Sequence, residues 1–200
     1  MLSKKILFNL AILVPAICFS QEDLNTGIQN ITKANFLSPG ISYEKKIGKL
    51  QSLHAQAFLS TAISLGYSSA LGSSSSIDFY PALGLQYRHY YNAAKRKAKG
   101  NRTEMNSLNY VAPLINTTFH REYTSWDGDK KLRALTLFGA AWGLQRNYQN
   151  RFALDLNLGV GYLVGKETSL DEDEQYITKN VGEFTNLVQI SLGFWLNRRN

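Results

Sequence analysis

Residues 152–164 read FALDLNLGVGYLV and alternate apolar residues with small or polar ones. A period of two puts successive side chains on opposite faces of a β-strand, whereas an amphipathic helix repeats every three to four residues. One face is apolar or aromatic throughout: Phe152, Leu154, Leu156, Leu158, Val160, Tyr162 and Val164. The other face carries Arg151, Ala153, Asp155, Asn157, Gly159 and Gly161. The stretch predicts a long strand with one apolar face and one polar face.

Three further segments alternate in the same way, namely residues 53–65, 76–91 and 188–196. Such windows of about 10 to 15 residues exceed the usual five or six of a soluble strand and match the roughly 9 to 11 that a tilted strand needs to cross a bilayer. Weaker alternation marks strands at residues 40–47, 109–121 and 132–146. The lengths favour strands that cross a membrane.

These segments amount to seven predicted strands. Turns are predicted at Gly48-Lys49, Ser73–Ser76, Trp126–Asp129 and Asn147–Asn150. Because bacterial single-chain barrels have an even number of strands, we place an eighth strand within residues 166–183. Ten strands is the alternative, with residues 28–35 also pairing. The predicted fold is all-β: an antiparallel up-and-down transmembrane β-barrel of eight strands.

The polar face decides which side of the wall faces inward. A lipocalin-like barrel, apolar inside, would carry mostly Lys, Glu and Thr on its water-facing side. Here the polar face is mostly Gly, Ala, Ser, Asn and Gln, which suits the crowded lumen of a small barrel. A charge network inside that lumen is predicted for Asp78, Arg88, Arg151 and Asp155.

Aromatic residues near strand ends predict the interfacial girdle that membrane barrels carry. The candidates are Tyr87, His89, Tyr90, Tyr91, Phe152, Tyr162 and Trp195. Pro81 conflicts with a closed ladder because proline has no N–H to donate. A position near the start of its strand would resolve that conflict.

Residues 1–20 have the zones of a secretory signal peptide: a basic start at Lys4 and Lys5, an apolar run, and a small-residue end at Ser20. The run of about 14 residues is shorter than the roughly 20 of a transmembrane helix. We expect cleavage before Gln21 and a single barrel domain over residues 21–200. A lipid anchor on Cys18 is the alternative.

Removing residues 1–20 also removes the one cysteine, so disulfides and thiolate metal sites are excluded from the mature chain. Without Lys4 and Lys5, the 22 basic residues fall to 20 against 15 acidic ones, a net charge of about +5. This mild excess suits contact with anionic lipid. For an exported chain we expect the outer membrane as location and no nucleic-acid partner.

A basic run after the aromatic end of the 76–91 strand is the candidate contact for lipid or glycolipid phosphates, with lipopolysaccharide the expected partner if this loop faces outward. Its members are Lys95, Arg96, Lys97, Lys99 and Arg102. The alternative is a solvated loop. The acidic run at residues 171–174 lacks the spacing of a calcium loop and is interpreted as another solvated loop.

The histidines predict no metal site, because His54, His89 and His120 fall on separate strands without ligand spacing. A membrane-embedded lipid hydrolase would need a serine activated by a histidine, and His54 is the best candidate for that histidine. No phosphate-binding glycine loop is present, and we expect no cofactor and no catalytic residues. The chain is therefore interpreted as a non-enzyme.

Several segments resemble small outer-membrane β-barrel proteins of Bacteroidota, of the OmpA-like barrel type. They are Gln21 directly after the signal peptide, GISYE at 40–44, YPALGLQYRHYYN at 80–92, WGLQRNYQNRF at 142–152 and LDLNLGVGY at 154–162. The resemblance implies insertion by the outer-membrane assembly machinery. It leaves three hypotheses: a structural or surface-interaction barrel, a narrow pore or a barrel that binds a small ligand or lipid, and the lipid hydrolase.

Overall fold

The protein is described here from a computed structural model that covers residues 27–68, 72–171, 173 and 175–197, without the side chains of 62–68, 72–77 and 169. Each strand pairs antiparallel with the next, and β1 pairs with β8 to close a barrel. The strands are β1 (Ile31–Leu37), β2 (Gly40–Lys46), β3 (Gln51–Ser68), β4 (Gly72–Tyr90), β5 (Asn109–Tyr123), β6 (Lys130–Asn147), β7 (Phe152–Leu170) and β8 (Tyr176–Trp195). The predicted eight-stranded up-and-down barrel is confirmed. The predicted signal peptide, with Cys18, lies outside the described residues.

The barrel has two unlike ends. At one end, called the terminal end, β1 begins and β8 ends. At the other, called the hairpin end, the β5–β6 and β7–β8 hairpins extend well past the short β1–β2 turn at Ser38-Pro39. The β7–β8 ladder is continuous from Phe152↔Phe194 to Leu170↔Tyr176. The long strands therefore form both the barrel wall and a projecting sheet.

The eighth strand is not where the sequence placed it. Residues 166–183 hold the distal halves of β7 and β8 and the turn between them, rather than a separate strand. The missing strand is β1, Ile31–Leu37, which overlaps the segment 28–35 that only the ten-strand alternative used. Its alternation is hard to read because Lys33 faces inward and is buried. Strand number was predicted correctly, and strand identity was not.

The turn predicted at Ser73–Ser76 is also wrong. These serines lie in β4, where Ser73 pairs with Tyr67 and Ser76 pairs with Ser64. A serine tract can continue a ladder because strand pairing uses backbone groups only. The turn predicted at Asn147–Asn150 is displaced by one residue, since Asn147 closes β6.

Pro81 lies within β4 rather than near its start, contrary to expectation. Leu59, which pairs with Pro81, donates its N–H to Pro39 O at 2.8 Å and so directs its backbone groups away from β4. In an antiparallel pair of this kind the backbone groups of the opposite residue also point away, so the Pro81 nitrogen points toward β5. The β4–β5 ladder ends at Ala82↔Thr118, one residue before Pro81. Pro81 therefore interrupts no hydrogen bond of the sheet. From Pro81 toward the hairpin end, β4 is no longer paired with β5.

The β4–β5 connection covers the terminal end. It contains helix α1 (Ala93–Ala98), and its last residues, Met105 to Leu108, are buried across the barrel mouth. Asn106 bonds to the backbone of Gln29 in both directions, at 2.8 and 3.1 Å. No helix in the described part of the chain is long and apolar enough to span a membrane.

Candidate functional site

The barrel wall is apolar outside and polar inside. Val188 on the outer face is 69% exposed, whereas Arg88 on the inner face is fully buried. Outward-facing apolar side chains occur on every strand and include Phe36, Ile41, Leu53, Leu83, Ile115, Phe138, Leu158 and Ile190. Folded proteins in water bury such side chains and expose their charges. The outer face therefore has the composition of a surface that contacts an apolar environment.

Aromatic pairs bound this apolar surface on β7 and β8. Phe152 packs against Phe194 at a centroid distance of 6.4 Å, and Tyr162 packs against Phe184 at 5.0 Å. Between the pairs, the outward residues of β7 are Leu154, Leu156, Leu158 and Val160. Those of β8 are Asn186, Val188, Ile190 and Leu192. We call this surface, with its counterparts on the other strands, the outer belt.

The belt lies between rings drawn from several strands. At the terminal end, Tyr91, Trp142 and Tyr87 are exposed, and Trp142 Nε1 donates to the Tyr91 hydroxyl at 2.7 Å. Two predicted girdle residues are not part of it. Tyr90 is buried in the lumen, and Trp195 is buried with its Nε1 donating to Tyr148 O at 2.9 Å.

Arg88 is the centre of a buried ionic group in the terminal half of the lumen. Its Nη1 lies 2.9 Å from Asp155 Oδ2 and 3.6 Å from Glu44 Oε2, and it donates to Gln145 Oε1 at 2.6 Å. Lys33 Nζ reaches the same Asp155 oxygen at 3.1 Å. Two cations thus face two carboxylates, and their charges balance. With the neutral side chains that bond to them, these four residues form what we call the lumen network.

Neutral donors complete the lumen network. Glu44 accepts hydrogen bonds from Ser52 Oγ at 2.6 Å and from the Tyr90 hydroxyl. The Tyr110 hydroxyl lies 2.6 Å from Asp155 Oδ1, and the Arg88 guanidinium stacks 4.3 Å above the Tyr110 ring. Such bonds offset the cost of taking charges out of water.

Gly143 makes room for this packing. A Cβ at that position would lie 2.1 Å from the Tyr110 ring, so the ring can cross the lumen toward Asp155 only over a glycine. The side chains of the network fill the terminal half of the barrel, as expected for eight strands. This half of the lumen is a packed polar plug.

Two of the four residues predicted to form a charge network lie inside this plug. Arg88 and Asp155 meet as an ion pair. Asp78 is exposed on the part of β4 beyond Pro81, and Arg151 is exposed in the β6–β7 turn, 5.7 Å from the Trp195 ring centroid. Arg151 has a backbone φ of 69°, which belongs to a turn and not to a strand.

Lys33 and Glu44 were not predicted as members of the lumen charge network. For Glu44 a signal was present, because Ser42 and Glu44 alternate with Ile41 and Tyr43 in GISYE and so share the polar face. No comparable signal existed for Lys33, since its strand was not identified. The pairing of these residues depends on register between distant strands.

Three residues of the basic run, Lys95, Arg96 and Lys99, line a surface depression at the terminal end. Lys95, Lys97 and Lys99 are exposed, whereas Arg96 donates to Arg102 O at 3.2 and 3.0 Å. Arg102 also contacts Glu104 at 3.4 Å. The depression is lined by Tyr91, Asn92, Lys95, Arg96, Lys99, Asn101, Asn109 and Arg146. The charged residues that line the depression are all basic. The depression adjoins the aromatic residues at the terminal end of the outer belt.

The histidines have different surroundings. His54 is buried, and its Nδ1 has no hydrogen-bond partner within the described part of the chain. His120 Nε2 lies 2.7 Å from Glu122 Oε1 in the projecting sheet. In the acidic run, Asp171 Oδ1 accepts from Gln175 N at 2.8 Å and stabilises the β7–β8 turn.

No group of three or more potential metal ligands occurs among the residues that the structure describes. Comparison of the chain with protein-family models, with curated proteins and with solved structures finds no match.

Proposed function

We propose that this chain is an exported integral outer-membrane barrel, with a structural or surface-interaction role and no chemistry of its own. The observation that carries the proposal is the outer belt around a buried, charge-balanced lumen. Phe152 and Tyr162 are ten positions apart on β7. At about 3.4 Å per residue and a tilt of about 40°, they span about 26 Å, close to the roughly 25 Å apolar band of outer-membrane barrels.

The lumen network supports a barrel that does not conduct. Its side chains fill the terminal half of the lumen, and residues 105–108 cover the mouth below them. An ion would have to displace buried, mutually bonded charges to pass. A narrow pore is therefore the weaker alternative, and the hydrolase gains no support from the surroundings of His54.

The first prediction concerns insertion and conductance. Expressed with residues 1–200, the protein should fractionate with outer membranes and migrate differently on gels before and after boiling, because its belt is stable only in lipid or detergent. Reconstituted in planar bilayers, it should show no channel steps above the lipid baseline. A soluble protein without a gel shift would contradict membrane insertion. Regular conductance steps would replace the structural role with the pore.

The basic depression supports contact with lipid phosphates at the terminal end. A barrel assembled from the periplasm passes its hairpins outward and leaves its chain ends behind, which would place this end at the inner leaflet. Phospholipid phosphates would then be the partner in place of lipopolysaccharide. Cations next to a membrane surface contribute about 1 kcal/mol each toward anionic lipid.

The second prediction tests this contact with a triple variant, Lys95→Gln, Lys97→Gln and Lys99→Gln. The unmodified protein should unfold at higher urea in vesicles containing phosphatidylglycerol than in neutral ones, and the triple variant should lose most of that difference, about 3 kcal/mol at low salt. The control neutralises Lys130, Lys131 and Lys179, which lie in the projecting sheet. Equal losses in both variants would contradict a localised contact.

A further inference from the structure

The barrel wall has a notch between β3 and β8. The β1–β2 turn is fixed to both neighbours, since Ser38 Oγ donates to Ile190 O at 3.1 Å and Pro39 O accepts from Leu59 N at 2.8 Å. Toward the hairpin end from this turn, the described residues of β3 pair only with β4, and those of β8 pair only with β7. The wall is therefore incomplete above Ser38.

A cavity of about 310 Å³ opens at this notch. Along β8 it is lined by inward-facing Leu187 and Gln189 and also by outward-facing Val188 and Ile190, so it passes through the wall. Its inner wall is formed by Leu135, Leu137 and Leu163. The volume is within the range of small-molecule sites.

The cavity also presents unused polar groups. Asn116 and Gln189 are 8% and 9% exposed, and Asn116 Oδ1 and Gln189 Nε2 have no hydrogen-bond partner among the residues that the structure describes. Gln56 Nε2 lies 3.5 Å from Gln189 Oε1, and the Gln56 and Asn116 side chains both lie against the bare backbone of Gly84. An unpaired acceptor and an unpaired donor are thus buried beside an apolar wall, and a ligand in the cavity reaches them when the two amide side chains turn toward it. The described part of the cavity lining includes no charged side chain.

The notch opens at the middle of the outer belt. Val188 pairs with Leu158 and Ile190 pairs with Leu156, and both pairs lie between the Phe152 and Tyr162 levels. If the barrel is inserted as proposed above, the opening faces hydrocarbon and not water. A ligand that enters there must already be dissolved in the membrane.

We propose that the cavity binds an uncharged single-chain lipid with a hydroxyl head group, which enters sideways from the bilayer. The hydroxyl donates to Asn116 Oδ1 and accepts from Gln189 Nε2, since a hydroxyl can do both. The first methylenes pack against Leu137, Leu163 and Leu187, and the remaining chain leaves through the notch. A carboxylate head is disfavoured because the lining offers no cation to pair with it. This inference rests on the proposed membrane location.

The test uses the full chain in phosphatidylcholine nanodiscs and a long-chain alcohol that carries a photoreactive diazirine beside its hydroxyl. Mass spectrometry should find cross-links on the lumen residues Leu137, Leu163 and Leu187. The double variant Asn116→Leu and Gln189→Leu should reduce this labelling by roughly tenfold, as expected for the loss of one or two hydrogen bonds. The control Asn186→Leu, an exposed position on β8, should leave it unchanged.

A second pair of variants keeps the test independent of the amides. Leu163→Trp should fill the cavity and abolish lumen labelling, whereas Leu158→Trp on the outer face of the same strand should not. Cross-links confined to the outer belt, or lumen labelling unaffected by Leu163→Trp, would overturn the inference. Equal labelling by the matching photoreactive fatty acid would overturn the assignment of a neutral head group. A protein that does not enter nanodiscs, or that enters them without showing the gel shift, would instead contradict the proposed function.

Discussion

Replacing Arg88 with methionine should lower the free energy of unfolding by about 3–5 kcal/mol, the largest effect we expect from a single substitution. Methionine keeps much of the volume but leaves Glu44 and Asp155 buried with only Lys33 to balance them. Uncompensated buried charge is far more costly than the loss of one hydrogen bond. The measurement is urea unfolding in vesicles, followed by the heat-dependent gel shift.

The charge balance of the lumen network can be tested by restoring it. Adding Glu44→Gln to Arg88→Met leaves one cation, Lys33, facing one carboxylate, Asp155. We therefore expect the double variant to be more stable than the sum of the single effects by about 1–3 kcal/mol. Arg121→Met on the exposed end of β5 is the matched control and should change stability by about 0.5 kcal/mol or less. An Arg88→Met variant as stable as the control would contradict a desolvated network.

Replacing Leu158 with arginine should destabilise the inserted barrel by about 2–4 kcal/mol, because the side chain would lie near the bilayer midplane. Leu158 is 42% exposed on the outer face of β7, so a barrel in water would accept an arginine there with little loss. The measurement is the urea midpoint of the folded, vesicle-inserted fraction. This substitution thus separates a lipid-facing wall from a water-facing one.

The matched control is Leu132→Arg. Leu132 also faces outward and is 62% exposed, but it lies in the projecting sheet, six residues beyond Phe138 along β6. Outside the apolar band the same change should cost about 0–1 kcal/mol. Similar effects at Leu158 and Leu132 would mean that depth along the barrel is irrelevant, which would contradict the proposed insertion.

The strands that the sequence predicted best are those whose inner residues are small or weakly polar. In residues 152–162 each outward residue is apolar and each inward one is small or polar, so the period of two is plain. β1 was missed because its two faces do not differ in polarity: Ile31 and Lys33 face inward, and Thr32 lies on the outer face. Local alternation cannot identify a short strand that has no apolar face, and the partner that buries Lys33, Asp155, lies 122 residues away in the chain.

By itself the sequence determined the all-β fold, seven of the eight strands and the two faces of the wall, because side-chain alternation is a property of each strand alone. The tertiary structure decided which inward charges meet, since register and barrel closure bring together Lys33, Glu44, Arg88 and Asp155 from four strands. It also decided that β1 and β2 stop short of their neighbours and leave the notch above Ser38. Strand length relative to a neighbour is a property of the closed barrel, and no single segment carries it.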